Sequence, residues 1–143
     1  MRVRTTIVAL AVGALVLVAC GEDEGNVFEL TTGQCFDDPE VVDGNVRDVP
    51  IIDCEQPHDN EVFALVELPG GDHPGTEVIS DEAGTSCLDM FPGYVGVDYD
   101  SSEYYASFIT PSENSWQAGD RTVICYLYGL DGPLEGSSRG TAR

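Results

Sequence analysis

Four cysteines, Cys35, Cys54, Cys87 and Cys125, restrict this chain more than any other feature of it. An even number of cysteines in an exported domain reads as disulfides, here two. Four cysteines can join in three ways. Two arguments favour Cys35–Cys54 with Cys87–Cys125. These pairs are sequential and local, and their faces agree. Over Thr76–Phe91, Ile79, Ala83, Cys87 and Met90/Phe91 share one side of a helix. Over Arg121–Leu130, Val123, Cys125 and Leu127 share one face of a strand. Cys87 and Cys125 therefore both point into apolar faces that can pack together. Loops of these lengths suggest unfolded-state constraints of about 3 and 4 kcal/mol. A zinc site made from all four cysteines is the rival, but no C-x-x-C knuckle is present.

The N-terminus supplies the case for export. Met1–Arg4 carries two arginines, and Ile7–Ala19 is uncharged and rich in Val, Ala and Leu. This is the basic and apolar pattern of a secretory signal peptide. A spanning helix needs about 20 apolar residues, so a stable transmembrane anchor is not expected. Without a twin-arginine pair, the general secretion route is expected. Leu17-Val18-Ala19-Cys20 resembles the bacterial lipobox. That resemblance implies a diacylglyceryl group on Cys20 and cleavage before it. The competing reading is an ordinary signal peptide with a chance cysteine. Two or three acyl chains hold a protein stably on a membrane, whereas one does so only marginally. Gly21–Asn26 is acidic, bears glycine and has no apolar face, so it reads as a flexible tether. The expected division is a signal peptide over 1–19, a lipidated cysteine and tether over 20–32, one domain over 33–140 and a tail over 141–143.

Charge narrows the partners. The chain has 26 acidic residues against six basic ones, a formal net charge of −20. Without the two N-terminal arginines the charge is about −22. Such a surface repels nucleic acid and anionic lipid headgroups, and favours cations and basic partners. Its plainest use is as a solvated exterior.

The longest informative stretch is Val49–Leu68, in which an apolar run ends in Cys54, a polar corner follows, and a second run leaves it. Arg47–Cys54 and Glu61–Leu68 read as strands paired in a hairpin around Gln56–Asn60. In the second strand, Val62, Ala64, Val66 and Leu68 take one face and Phe63 and Leu65 the other. Val27–Leu30 and Gly33–Phe36 read as short extended pieces. Thr76 or Ser80 is a candidate cap for a helix ending near Phe91, before Pro92-Gly93. Tyr94–Glu103 reads as an acidic loop, Tyr104–Thr110 as a strand, Pro111–Asp120 as a long turn and Asp131–Arg143 as a fraying end. The order is β-β-β-α-β-β. The expected class is α+β: a small antiparallel sheet with one helix packed on a face and two disulfides.

Five segments of the sequence carry a family resemblance. They are Gly33–Phe36, Val49–Val62, the helical Cys87, Trp116–Cys125 and Gly136–Gly140. Together, in this order, they resemble the septum formation family domain of actinobacterial envelope proteins. The Cys54-x-x-Pro57-His58-x-x-Glu61-Val62 segment is the most specific. The resemblance implies an exported or membrane-anchored protein on the extracytoplasmic face, linked to septum formation. It carries no catalytic activity; an envelope or division protein is the expected partner, and no cofactor is expected.

Residues that could carry chemistry are few. His58, Asp59 and Glu61 cluster in the corner. A catalytic reading makes His58 a base oriented by Glu61 or Asp59. Ser80, Ser86 and Ser115 would be its nucleophiles, but none sits in a Gly-x-Ser-x-Gly elbow. The structural reading has Pro57 setting the turn and His58 bonded to a carbonyl or carboxylate inside it. His58, Glu61 and His73 could share a metal, although no spacing demands one. Asp98–Glu103 resembles the opening of a calcium loop but lacks its glycine and distal glutamate. Neither a metal nor an enzyme is the expected reading. Tyr126 and Tyr128 lie opposite Cys125 and, with Trp116, are candidates for an aromatic binding patch; the equal alternative is a second minor core beneath a loop. Trp116 itself reads as packed on the domain edge, with Arg121 paired to an acid. The expected function is a lipid-anchored interaction module; an extracytoplasmic ligand- or cation-binding domain is the alternative, and a hydrolase using His58 comes last.

Overall fold

The structure, a computed structural model, describes residues 23–38 and 48–143. Cys20 and the apolar run before it lie outside those residues. The elements are β1 (Asp23–Asn26), β2 (Cys35–Phe36), β3 (Asp48–Ile52), β4 (Asn60–Glu67), α1 (Thr76–Val95), β5 (Tyr105–Ile109), α2 (Glu113–Gln117) and β6 (Thr122–Tyr128). The six strands form one antiparallel sheet in the order β1-β3-β2-β4-β6-β5. No helix among the described residues is long and apolar enough to cross a membrane.

Period-2 alternation sorts β6 cleanly. Val123, Cys125 and Leu127 enter the main core, while Tyr126 and Tyr128 take the opposite face. Helix α1 covers the first face. Its Ile79, Ala83, Cys87 and Phe91 recur every four residues and are all buried. Cys87 and Cys125 are bonded across this contact, with Cα atoms 5.5 Å apart. Cys35 and Cys54 are bonded with Cα atoms 5.3 Å apart. The class and both pairings are as the element order, the locality of the pairs and the faces of Cys87 and Cys125 imply. A second, smaller core of Val27, Leu30, Phe36, Val49, Val62 and Ile124 lies on the other face.

Several elements differ from the sequence reading. β3 and β4 are not a hairpin, because β2 lies between them. Cys35 pairs with both Ile52 and Glu61, and Phe36 with both Ile51 and Asn60. The corner Asp53–Asp59 thus loops over one strand, and the Cys35–Cys54 bond ties it there. Asp23–Asn26, expected in the tether, pairs with β3. Val27–Glu29 is a 3-10 turn capped by Asn26 rather than a strand, and it buries Val27. Phe63 is the extra residue of a bulge in β4, where the register shifts between Val62 and Ala64. The bulge sends Phe63 and Ala64 to the same core and leaves Val62 in the other.

Helix α1 also continues past Pro92 to Val95, ending at Gly96 with φ 99°. A proline inside a helix costs about 3 kcal/mol. Burial of Phe91, Tyr94 and Val95 around it offsets this. The N-cap is Gly75, without a side-chain cap bond, rather than Thr76 or Ser80. The long turn contains α2, capped reciprocally by Ser112 and Ser115. The C-terminal segment does not fray. Leu134 bridges to His58, and the Gly140 and Ala142 amides donate to the carbonyls of Tyr94 and Val95, both at 2.9 Å. Two of the orphan carbonyls at the end of α1 are thereby satisfied.

Gly84 sits mid-helix, and a Cβ there would meet only Phe108 Cε1, at an ordinary 3.6 Å. Gly84→Ala is therefore expected to raise stability by about 1 kcal/mol in denaturant unfolding. A loss of stability would show that the helix cannot seat the methyl group.

Candidate functional site

The corner is closed by local bonds. The Gln56 amide donates to the Asp53 carbonyl at 2.8 Å. His58 exchanges backbone bonds in both directions with Leu134, at 3.1 and 2.7 Å. Its ring is 1% exposed. Nδ1 lies 2.8 Å from the Gln56 carbonyl. A carbonyl only accepts, so Nδ1 carries the proton. Nε2 is buried without a partner among the described residues. Asp59 faces away from the ring. Its Oδ2 accepts from the Asp38 amide and its own amide donates to Asp37 Oδ1, both at 3.1 Å. Asn60 Nδ2 donates to Asp38 Oδ1 at 2.9 Å. Asp59 thus ties the corner to the end of β2.

Glu61 is fully buried. Its Oε1 accepts from the Tyr94 hydroxyl at 2.5 Å and from Ser137 Oγ at 2.6 Å. Its Oε2 accepts from the Ser138 amide at 2.6 Å. β4 supplies the carboxylate, the last turn of α1 supplies the phenol, and the C-terminal segment supplies the other two donors. The Arg139 guanidinium stacks 4.5 Å from the centre of the Tyr94 ring. Burial, followed by the hydrogen bond and charge of Glu61, pushes the Tyr94 phenol up to about 12.

Of the predicted trio, His58 and Glu61 come together in space while Asp59 is bonded elsewhere, and the three form no relay. His58 bonds a backbone carbonyl, Asp59 bonds β2, and Glu61 bonds Tyr94 and the C-terminal segment. Ser115 is used in the cap of α2, and Ser80 and Ser86 lie on α1. His73 does not join His58. Its ring packs edge-on against Trp116 at 5.3 Å, and its Nδ1 accepts from the Gly75 amide. Among the described residues, the one cluster of candidate metal donors is Cys35, His58 and Glu61, within 4.8 Å of one another. They fit a metal poorly: the Cys35 sulfur is in a disulfide, and both Glu61 oxygens are occupied by donors. The carboxylates of Asp98–Glu103 do not converge into such a cluster.

The aromatic residues divide between the two faces. Tyr126 and Tyr128 are half-buried, with ring centres 6.4 Å apart, and Tyr105 lies 5.9 Å beyond Tyr128. Phe36 meets Tyr126 edge-on at 5.7 Å. Trp116 is not part of this row. It is 4% exposed in the helix-side core, and its Nε1 donates to the Gly71 carbonyl. Arg121 stacks 3.8 Å from the Trp116 ring centre. Its Nη1 donates to the carbonyls of Trp116 and Asp120, and not to an acid.

The sequence reading missed Tyr94, Ser137 and Ser138 as partners of Glu61. Their separations of 33, 76 and 77 residues leave no local signal. The sequence profile of the septum formation family matches residues 19–135, which span β1 to β6 and the corner. The chain belongs to the septum formation family. No curated protein and no solved structure matched it. Family membership supports a septum-formation-like role, and the family is not a known family of enzymes.

Two outcomes test this account of the family's most specific segment. His58→Ala removes a buried ring and its bond, and is expected to lower stability by about 2 kcal/mol in denaturant unfolding. Tyr94 carries a second, pH-dependent signature. Its folded pKa of about 12 exceeds the unfolded tyrosine value of about 10. The stability it contributes is therefore complete below pH 10 and is lost as pH rises towards 12, because only the unfolded chain releases the proton in that window. Phenolate absorbance should show a late-titrating component near pH 12 that Tyr94→Phe removes.

Proposed function

We propose that the chain is an exported lipoprotein, held on the extracytoplasmic face of the cell membrane by lipid on Cys20. Its domain acts there as a non-catalytic interaction module for a protein of the envelope or division machinery. The observation that carries the interaction reading is the open face of the sheet. Tyr105, Tyr126 and Tyr128 form a row on the side that α1 does not cover, and Leu130 beside them is 65% exposed. Tyrosines present large area at small entropic cost, and contiguous exposed apolar surface of this kind marks docking sites. Family membership supports the division setting. A hydrolase finds less support, because the His58 ring is closed into the corner and its neighbours are committed elsewhere. Cation binding finds little support among the described donors.

Lipidation and docking are tested separately. Cys20→Ala should abolish incorporation of labelled fatty acid into the chain in cells; unchanged labelling would exclude this anchor. A photo-reactive residue at Tyr128 should capture an envelope or division protein in cells, while one at the exposed Glu82 on α1 should not. Equal capture from both positions, or none from Tyr128, would contradict the module.

A further inference from the structure

The chemistry of the partner can be read from the groove beside the tyrosines. This inference rests on the interaction reading and deepens it. A cavity of about 350 Å³ lies between the Asp38–Asp59 edge and the turn after β6. Tyr126 and Tyr128 contribute to its walls, and Leu130 and Pro133 close the far side. Its volume is at the lower end of ligand pockets, enough for a side chain rather than a cofactor. Asp38 and Asp59 are hydrogen-bonded only to neutral donors among the described residues: Asn60 Nδ2 to Asp38 and the Asp38 amide to Asp59. Among the described residues no cation meets either carboxylate, and each retains free lone pairs.

The described cations of the chain are spent elsewhere. Arg121 stacks on Trp116, Arg139 on Tyr94, and Arg143 pairs with Glu103. Two of these three show how this fold uses a guanidinium, flat against an aromatic ring. The groove offers two tyrosine rings with carboxylates beside them and no arginine of its own among the described residues. An anionic lipid headgroup would meet two like charges there, and a second copy would bring a net charge of −20 to the contact. A guanidinium satisfies both features, stacking on tyrosine and pairing with carboxylate in its plane, which an ammonium does less well. We propose that the groove between Asp38, Asp59, Tyr126 and Tyr128 takes an arginine side chain from a basic segment of the partner protein.

The test uses the full chain in detergent micelles with ¹³C-labelled tyrosine, and short neutral-flanked peptides with one central arginine, lysine or citrulline. The arginine peptide should move the Tyr126 and Tyr128 ring signals saturably. The citrulline peptide, nearly the same shape without the charge, should bind at least about tenfold more weakly, the lysine peptide should fall between them, and added salt should weaken arginine binding. Asp38→Asn, at an exposed position, should weaken arginine binding about tenfold, and Tyr128→Leu should also weaken it. Equal binding of citrulline and arginine would overturn the proposal. So would tyrosine shifts produced by chain concentration alone, which would assign the groove to a second copy, or by phosphatidylglycerol vesicles, which would assign it to lipid. Capture of a protein from Tyr128 without arginine preference would overturn this inference and leave the module standing. No capture from Tyr128 would overturn the module, and the partner assignment with it.

Discussion

A buried carboxylate is expensive unless donors surround it, and this fold places one at its centre. Glu61 receives the Tyr94 hydroxyl, the Ser137 hydroxyl and the Ser138 amide. Those donors come from the last turn of α1 and from the C-terminal segment. The acceptor adds to the burial of Tyr94 and Val95 and to the backbone bonds of the C-terminal segment. Tyr94 in turn requires the helix to run through Pro92, and the C-terminal segment then donates to the carbonyls of Tyr94 and Val95. One charge in β4 thus orders two pieces of chain that local propensity would leave frayed.

The same arrangement separates the two faces of the sheet. On the helix side, the Cys87–Cys125 bond, the Phe63–Phe91 contact and the Glu61 network close the core. The other side holds a small core under the Val27–Glu29 turn and, beyond it, the uncovered tyrosine row. The corner, which lies within the family match, therefore builds the scaffold. In the proposed function, interaction falls to residues displayed on the far face, where an acidic surface would favour a basic partner.

Much of this was legible in the residues. The cysteine pairing followed from the locality of the two pairs and, for Cys87–Cys125, from two periodicities, 3.6 through Cys87 and 2 through Cys125. The same period-2 argument placed Tyr126 and Tyr128 together. What failed had specific causes. β2 is two residues long, too short to show any periodicity, so its insertion between β3 and β4 was hidden and a hairpin seemed simpler. A bulge at Phe63 breaks alternation without a glycine or proline to announce it. Pro92 looked like a stop because the anchoring of Tyr94 is tertiary. The Ser112–Ser115 cap was present in the sequence and would have revealed α2. The C-terminal segment looked loose because its contacts are polar and distant rather than apolar and local.

If Glu61 organises the C-terminal segment, removing its charge should release that segment before the sheet. Native-state hydrogen exchange on Glu61→Gln measures this directly. The account predicts that the Ser138, Gly140 and Ala142 amides lose protection together, while amides of β6 keep theirs. Unchanged protection at Ser138 and Gly140 in a folded variant would contradict it, and the segment would then be held by its backbone contacts alone.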